Sequence, residues 1–211
     1  MAHLRVGILG ATGLVGCELL KVLFDRKFPI KSLKLYASER SVGKLIETPL
    51  GNIAVENADK ADYSELDIAF FAIGGGWAKE NADKATSAGC TVIDNSSTFR
   101  YDDEVPLVIP EINPDAIGDS KIIANPNCTT AIASIPLWAI HENYGLEKII
   151  ISTYQAASGA GAGGIGELEA ETKKALSGEA ACSRVFQHPI AFNVIPHIDE
   201  FQENKHTKEE M

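Results

Sequence analysis

Of the four cysteines in the chain, Cys17, Cys90, Cys128 and Cys182, only Cys128 stands where a thiol is set up to react. It follows the proline-punctuated run Asn125-Pro126-Asn127 and opens a helical pattern over residues 129–141. The unsatisfied N–H groups and macrodipole of a helix start favour thiolate over thiol, and thiolate is the form that attacks an acyl carbon. The ordinary reading of a cysteine is a small buried hydrophobe. That reading fits Cys17, Cys90 and Cys182, but it leaves the polar Asn127 and Thr129 beside Cys128 without a reason.

A second chemistry is written at the other end. Gly10-Ala11-Thr12-Gly13-Leu14-Val15-Gly16 is a G-x-x-G-x-x-G run that follows a strand pattern and opens an amphipathic helix. In that setting glycines permit a tight turn and bring backbone N–H groups and the positive end of a helix against a dinucleotide pyrophosphate. A purely structural turn is the alternative. After the second strand comes Ala37-Ser38-Glu39-Arg40-Ser41. Ser38 and Arg40 facing the ribose suit the 2'-phosphate of NADP(H), whereas Glu39 facing it suits the hydroxyls of NAD.

Elements to position these groups are legible. Apolar runs at residues 4–9, 33–37, 68–73 and 91–93 alternate with helical patterns at 14–24 and 77–88, which predicts βαβ units and a doubly wound parallel sheet of the α/β class. Short runs at 107–109 and 121–124 lead to the Asn125-Pro126 break, where a domain boundary is expected. Beyond it the pattern predicts a helix that Pro136 kinks or restarts, a strand at 148–154 and a helix at 166–176. The run Ser158-Gly159-Ala160-Gly161-Ala162-Gly163-Gly164 reads either as a flexible linker or as backbone that must approach a ligand. Thr207-Lys208-Glu209-Glu210 has the form of a capping box, so a helix is expected to begin where the chain stops, and the sequence looks cut.

Composition narrows the partners. A formal charge of -10 without clustered Lys and Arg argues against nucleic acid, yet one aimed arginine and a helix start can still hold a small anion. No apolar run reaches the length of a membrane span, and residues 1–10 lack the pattern of a secretory signal, so a cytoplasmic protein with reduced thiols is expected. The cysteines form no CxxC pair, and no metal site is expected.

Four segments in order, Gly10 to Gly16, Asn95-Ser96-Ser97-Thr98-Phe99-Arg100, Asn125-Pro126-Asn127-Cys128-Thr129-Thr130 and Thr153-Tyr154-Gln155-Ala156-Ala157-Ser158-Gly159, resemble the aspartate-semialdehyde dehydrogenases. The resemblance implies an NADP-binding Rossmann-type domain over residues 1–127. It also implies an incomplete α+β catalytic and dimerisation domain of the glyceraldehyde-phosphate-dehydrogenase type over 128–211, with a homodimer in the full-length form. By position it makes Cys128 the nucleophile, Asn127 its neighbour in the site, Gln155 the substrate-orienting residue and Arg100 the phosphate-binding arginine. Gly10, Thr12, Gly13, Leu14, Val15, Ser38, Arg40, Ser41, Ser158 and Gly159 match cofactor positions.

The implied reaction is reductive dephosphorylation of β-aspartyl phosphate to aspartate semialdehyde, in lysine, threonine and methionine biosynthesis. The alternatives are a related acyl-phosphate or acyl-CoA reductase and a non-catalytic dinucleotide-binding fragment. The family's acid/base histidine, carboxylate-binding arginine and acidic substrate ligand are expected beyond Met211. His3, His141, His188, His197 and His206 lack the required context, so little turnover is expected of these 211 residues. Trp77 after Gly74-Gly75-Gly76 stands where a small polar residue is expected.

Overall fold

The apolar run at the start of the chain becomes strand β1 (Leu4–Leu9), whose Val6, Ile8 and Leu9 are fully buried. A computed structural model describes residues 3–180, 182–196, 198–207 and 209, and contacts divide the chain into two units, Met1–Ile149 and Ile150–Met211.

Among the described residues the first unit holds one seven-stranded sheet. Its further strands are β2 (Ile30–Ala37), β3 (Leu45–Thr48), β4 (Gly51–Asn57), β5 (Ile68–Phe71), β6 (Thr91–Asp94) and β7 (Ile122–Ala124), in the order β3-β4-β2-β1-β5-β6-β7. All pairs are parallel except the β3–β4 hairpin. Helix α1 (Leu14–Asp25) follows β1 and helix α2 (Gly75–Ser87) follows β5. The chain runs outward from β1 to β2 and β4, then returns to β5 on the other flank. The crevice at the carboxyl ends of β1 and β5 is therefore the topological switch point, where ligands of such sheets bind.

A strand covered on both faces needs apolar side chains on both. Val6, Ile8, Leu33 and Leu35 pack with Leu20 and Leu23 of α1, while Leu9, Ala69 and Phe71 pack with Ala78, Ala82 and Ala85 of α2. Arg5 donates to Asp67 Oδ1 at 2.7 Å, but both side chains are more than a third exposed, so solvent screens the pair and it adds little to stability. Each buried aliphatic side chain of β1 contributes about 1.5–3 kcal/mol. The core holds β1, and the ion pair orients the turn before β5.

The β3–β4 hairpin carries no clear signal in the sequence. Its turn is organised by Thr48, whose Oγ1 donates to the Gly51 carbonyl at 2.8 Å and accepts from Leu50 N–H at 3.1 Å. Residues 107–109 supply only an isolated bridge between Leu107 and Ala124. Helix α3 (Cys128–Tyr144) runs through Pro136 without restarting. None of its residues is buried, and Ile132, Ile135, Trp138, Ile140 and Tyr144 are exposed. The strand expected at 148–154 does not form: those residues enter no ladder, and Ile149, Ile150, Ile151 and Tyr154 are exposed. β-branched composition favours pleated backbone, but a strand exists only by pairing.

In the second unit the glycine run is not a linker. It folds as a 3-10 turn, Ala157–Ala160, leading into helix α4 (Gly161–Ser177). Gly164 permits this, since a Cβ there would stand 2.4 Å from the Ala157 carbonyl oxygen. Two glutamates one turn apart on α4 then hold the chain that follows. Glu167 accepts from the N–H groups of Arg184, Val185 and Phe186 at 2.7, 2.7 and 2.9 Å. Glu171, almost fully buried, accepts from Ser183 Oγ, Ile190 N–H and Ala191 N–H. Thr207 pairs with Phe201 in an antiparallel bridge, and the helix start expected over 207–210 falls partly on Lys208 and Glu210, outside the described residues.

Two outcomes are expected. Gly16→Ala should destabilise the first unit by about 1–3 kcal/mol, because the new Cβ would meet the Gly10 carbonyl oxygen at 2.2 Å, whereas Gly13→Ala, with 3.3 Å to the same atom, should cost less in thermal denaturation. At Glu167 desolvation opposes the charge, but the three N–H donors outweigh it and hold the carboxyl below its usual value. That anchor is complete above the ordinary glutamate range near about 4.3 and is lost as pH falls through the lower folded value. Hydrogen-exchange protection of the 184–186 amides should fall along that window and be weak at all pH in Glu167→Gln; unchanged protection in the variant would sink the idea.

Candidate active and cofactor site

The residues with chemistry in the first unit lie on loops at the carboxyl edge of the sheet. After β1, Gly10 and Ala11 both donate to the Tyr36 carbonyl, at 2.8 and 3.0 Å, which ties the glycine loop to the end of β2. Gly10 adopts φ +90°, and a Cβ there would stand 2.1 Å from the Ala72 carbonyl oxygen, so glycine is required twice over. Gly13 caps α1 without a side-chain hydrogen bond. The first-turn N–H groups, beside Leu14 and Val15, face an edge with no capping side chain and can receive an anion.

Beside this loop, Ser38 precedes a 3-10 turn, Glu39–Ser41. Ser41 Oγ lies 3.4 Å from Thr12 Oγ1, so two of the predicted cofactor segments meet. Arg40 is exposed. Glu39 is engaged by the side-chain amide of Asn57 at the end of β4. Trp77, in the first turn of α2, packs edge-on against Phe71 with centroids 5.3 Å apart, and its indole N–H donates to Asp59 at 2.7 Å.

On the other flank of β1, Arg100 donates from Nε to the Asn125 carbonyl at 2.9 Å and from a terminal nitrogen to the Asn95 carbonyl at 3.3 Å. The guanidinium is thereby tied to the backbone three residues before Cys128. Asn127 caps α3, its side chain accepting from Thr130 N–H at 2.7 Å, and Cys128 is the exposed first residue of that helix. The structure therefore ties the Arg100 loop to the segment that leads through Asn127 into Cys128.

Asp94, unremarked in the sequence, stands at the foot of this arrangement. It is fully buried and accepts from Ser96 Oγ at 2.7 Å, and Ser96 Oγ in turn accepts from Thr98 N–H at 3.2 Å. Burial pushes its carboxyl up, against the pull of Ser96 and the Arg100 charge. A strand pattern gives no warning of a buried acid; the following Asn-Ser-Ser run was its only signal.

Gln155, Ser158 and Gly159 belong to the second unit, the last two in the turn before α4. Gln155 Nε2 donates to Glu209 at 3.0 Å. An acidic side chain thus stands against the expected substrate-orienting amide.

Residues 5–120 match the family described as semialdehyde dehydrogenase, NAD binding domain, and residues 137–211 match semialdehyde dehydrogenase, dimerisation domain. The chain belongs to the semialdehyde dehydrogenase family. It is 47% identical over 210 residues to aspartate-semialdehyde dehydrogenase 2 of Vibrio cholerae, covering 98% of this chain and 62% of that protein. To the aspartate-semialdehyde dehydrogenase of Aquifex aeolicus it is 47% identical over 211 residues, with coverage of 98% and 62%.

Among solved structures, aspartate semialdehyde dehydrogenase II from Vibrio cholerae complexed with ASA superposes with a TM-score of 0.95 at 45% identity, over 99% of this chain and 63% of that one. A probable aspartate-semialdehyde dehydrogenase from Pseudomonas aeruginosa gives 0.88 at 26% identity, over 99% and 63%. The chain spans a little under two thirds of the length of the relatives it matches. The family's two-part organisation accords with a mostly parallel α/β domain followed by a second part.

Limited alkylation at neutral pH is expected to modify Cys128 first. Cys90 should stay unmodified until the chain unfolds, since it is buried and burial pushes its thiol up to about 11. Faster labelling of the exposed Cys17 or Cys182, mapped by peptide, would count against Cys128 as the reactive thiol.

Proposed function

We propose that the chain is the cofactor-binding and nucleophile-bearing part of an NADP-dependent aspartate-semialdehyde dehydrogenase, which converts β-aspartyl phosphate to aspartate semialdehyde through a Cys128 thioester. The observation that carries this reading is the tie from Arg100 to the Asn125 carbonyl, which anchors a cation to the backbone three residues before a cysteine at the first position of a helix. An acyl phosphate needs both: a nucleophile for the carbonyl carbon and a cation for the departing phosphate.

The Cys128 thiolate attacks the acyl carbon, and the C–O bond to phosphate breaks. Arg100 takes up the released charge with the N–H groups not spent on backbone carbonyls. The thioester on Sγ is then reduced, and collapse of the tetrahedral adduct returns the thiolate and frees the aldehyde. NADPH, when bound, supplies the hydride for that reduction. The residues fit it: Gly10, Gly13 and the uncapped start of α1 suit the pyrophosphate, with Thr12, Leu14 and Val15 lining the turn. Ser38, Arg40 and Ser41 suit the 2'-phosphate. In the second unit Ser158 and Gly159 are assigned to the cofactor, and Gln155 with Glu209 offers a donor and an acid to the amino-acid end of the substrate.

We divide the protein at residues 127 and 128, so that Cys128 opens the catalytic and dimerisation part, and assign it to the cytoplasm as a homodimer acting in lysine, threonine and methionine biosynthesis.

Phosphate-dependent NADP reduction with aspartate semialdehyde, measured on this sequence carried to the full length of its relatives, tests the reading. Cys128→Ala is expected to lower kcat by at least about a thousandfold while dinucleotide binding persists. Activity that survives the substitution would remove the thioester mechanism.

A further inference from the structure

The segments that follow β2, β4 and β5 are joined by a line of hydrogen bonds that the glycine fingerprint does not require. Asn57, the last residue of β4, donates its side-chain N–H to the carboxylate of Glu39 in the turn after β2. Its own carbonyl oxygen accepts from Asp59 N–H at 2.9 Å, and the Asp59 carboxylate accepts from the Trp77 indole at 2.7 Å. The Asp59 N–H settles which way the Asn57 amide faces, because a flipped amide would set donor against donor. Asn57 is therefore held with its N–H groups toward Glu39.

The turn Glu39–Ser41 is 3-10, with three residues per turn, so its side chains leave in three directions about 120° apart. Glu39 goes to Asn57, Ser41 goes to Thr12 in the glycine loop, and Arg40 is exposed. This matters because Glu39 is the one feature of the segment that argues for the wrong cofactor. An acid at the ribose accepts from the hydroxyls of NAD and repels a 2'-phosphate.

We propose that Asn57 is a specificity-determining residue for the dinucleotide: by pinning the Glu39 carboxylate against the end of β4, it withdraws that charge from the ribose and leaves Ser38 and Arg40 as the partners of a 2'-phosphate. The inference rests on the reading of the site as one for NADP. A carboxylate released to within about 6 Å of the phosphate, at the intermediate dielectric of a protein surface, weakens binding about tenfold.

Equilibrium binding of NADPH and NADH to the full chain, read by nucleotide fluorescence, tests this with three variants. Asn57→Asp keeps the acceptor for Asp59 N–H but repels Glu39, and should lower the preference for NADPH over NADH about tenfold. Glu39→Gln alone should leave the preference within about twofold, because the pinned carboxylate does not reach the ribose. Asn57→Asp with Glu39→Gln exchanges donor and acceptor at unchanged net charge, and should restore the preference to within about twofold of wild type.

A double variant as poor as Asn57→Asp would mean that the new charge at position 57 acts directly, and would overturn the pinning. A large gain in NADPH preference from Glu39→Gln alone would overturn it too, since Glu39 would then already face the phosphate. Wild-type protein that binds NADPH and NADH equally, or neither, would overturn the NADP reading and the inference with it. Clear wild-type preference that no variant moves would leave the reading standing and remove Asn57 from it.

Discussion

The way the chain leaves β1 governs the rest of the molecule. Between the last residue of that strand and the first turn of α1 there is no room for a side chain at Gly10 or Gly16: one faces the carbonyl of Ala72, the other the carbonyl of Gly10 itself. The tight passage seats α1 against the sheet with its first turn aimed at the switch crevice. It also lets Gly10 and Ala11 share the Tyr36 carbonyl, which brings the turn after β2 alongside. An acidic chain thereby obtains a local positive edge from backbone dipoles alone, and its overall charge has little say in whether an anion can bind there.

Much of the first unit was legible because its signals are local. Apolar runs at β1, β2, β5 and β6 and the amphipathic pattern of α1 correspond closely to the elements formed, since strands buried on both faces and a helix with one apolar stripe leave strong periodicities. The hairpin of β3 and β4 was not legible. Its stability comes from adding to an existing edge at β2, a tertiary fact, and its turn is built on Thr48 rather than on an Asn-Gly or Asp-Gly pair.

Errors in the second half have physical causes as well. Residues 148–154 have strand composition but no ladder, and Pro136 is carried inside α3 because a helix can forgo one N–H when the turns on either side persist. The glycines at 159–164 looked flexible by composition, yet Gly164 serves close packing inside a folded turn and helix. Of the site, the types and order of Gly10 to Gly16, Arg100, Asn127 and Cys128 could be read. What could not be read is how they are held: the Arg100 tie to Asn125 and Glu209 against Gln155 join residues far apart in the chain, and the burial of Asp94 beneath Ser96 is set by the packing around it.

Glu167 and Glu171 gather the segment that follows α4 mainly by its main-chain N–H groups, with Ser183 donating to Glu171 from its side chain. A grip on peptide groups places almost no demand on the side chains that those groups carry. Exposed positions of this segment that donate to neither glutamate, such as Gln187 and His188, tolerate changes in size, charge and polarity, while Phe186, which stands over Gly164, and the two glutamates do not. A pair of fixed acids thus turns this stretch into territory where new surface properties can be tried without refolding the unit.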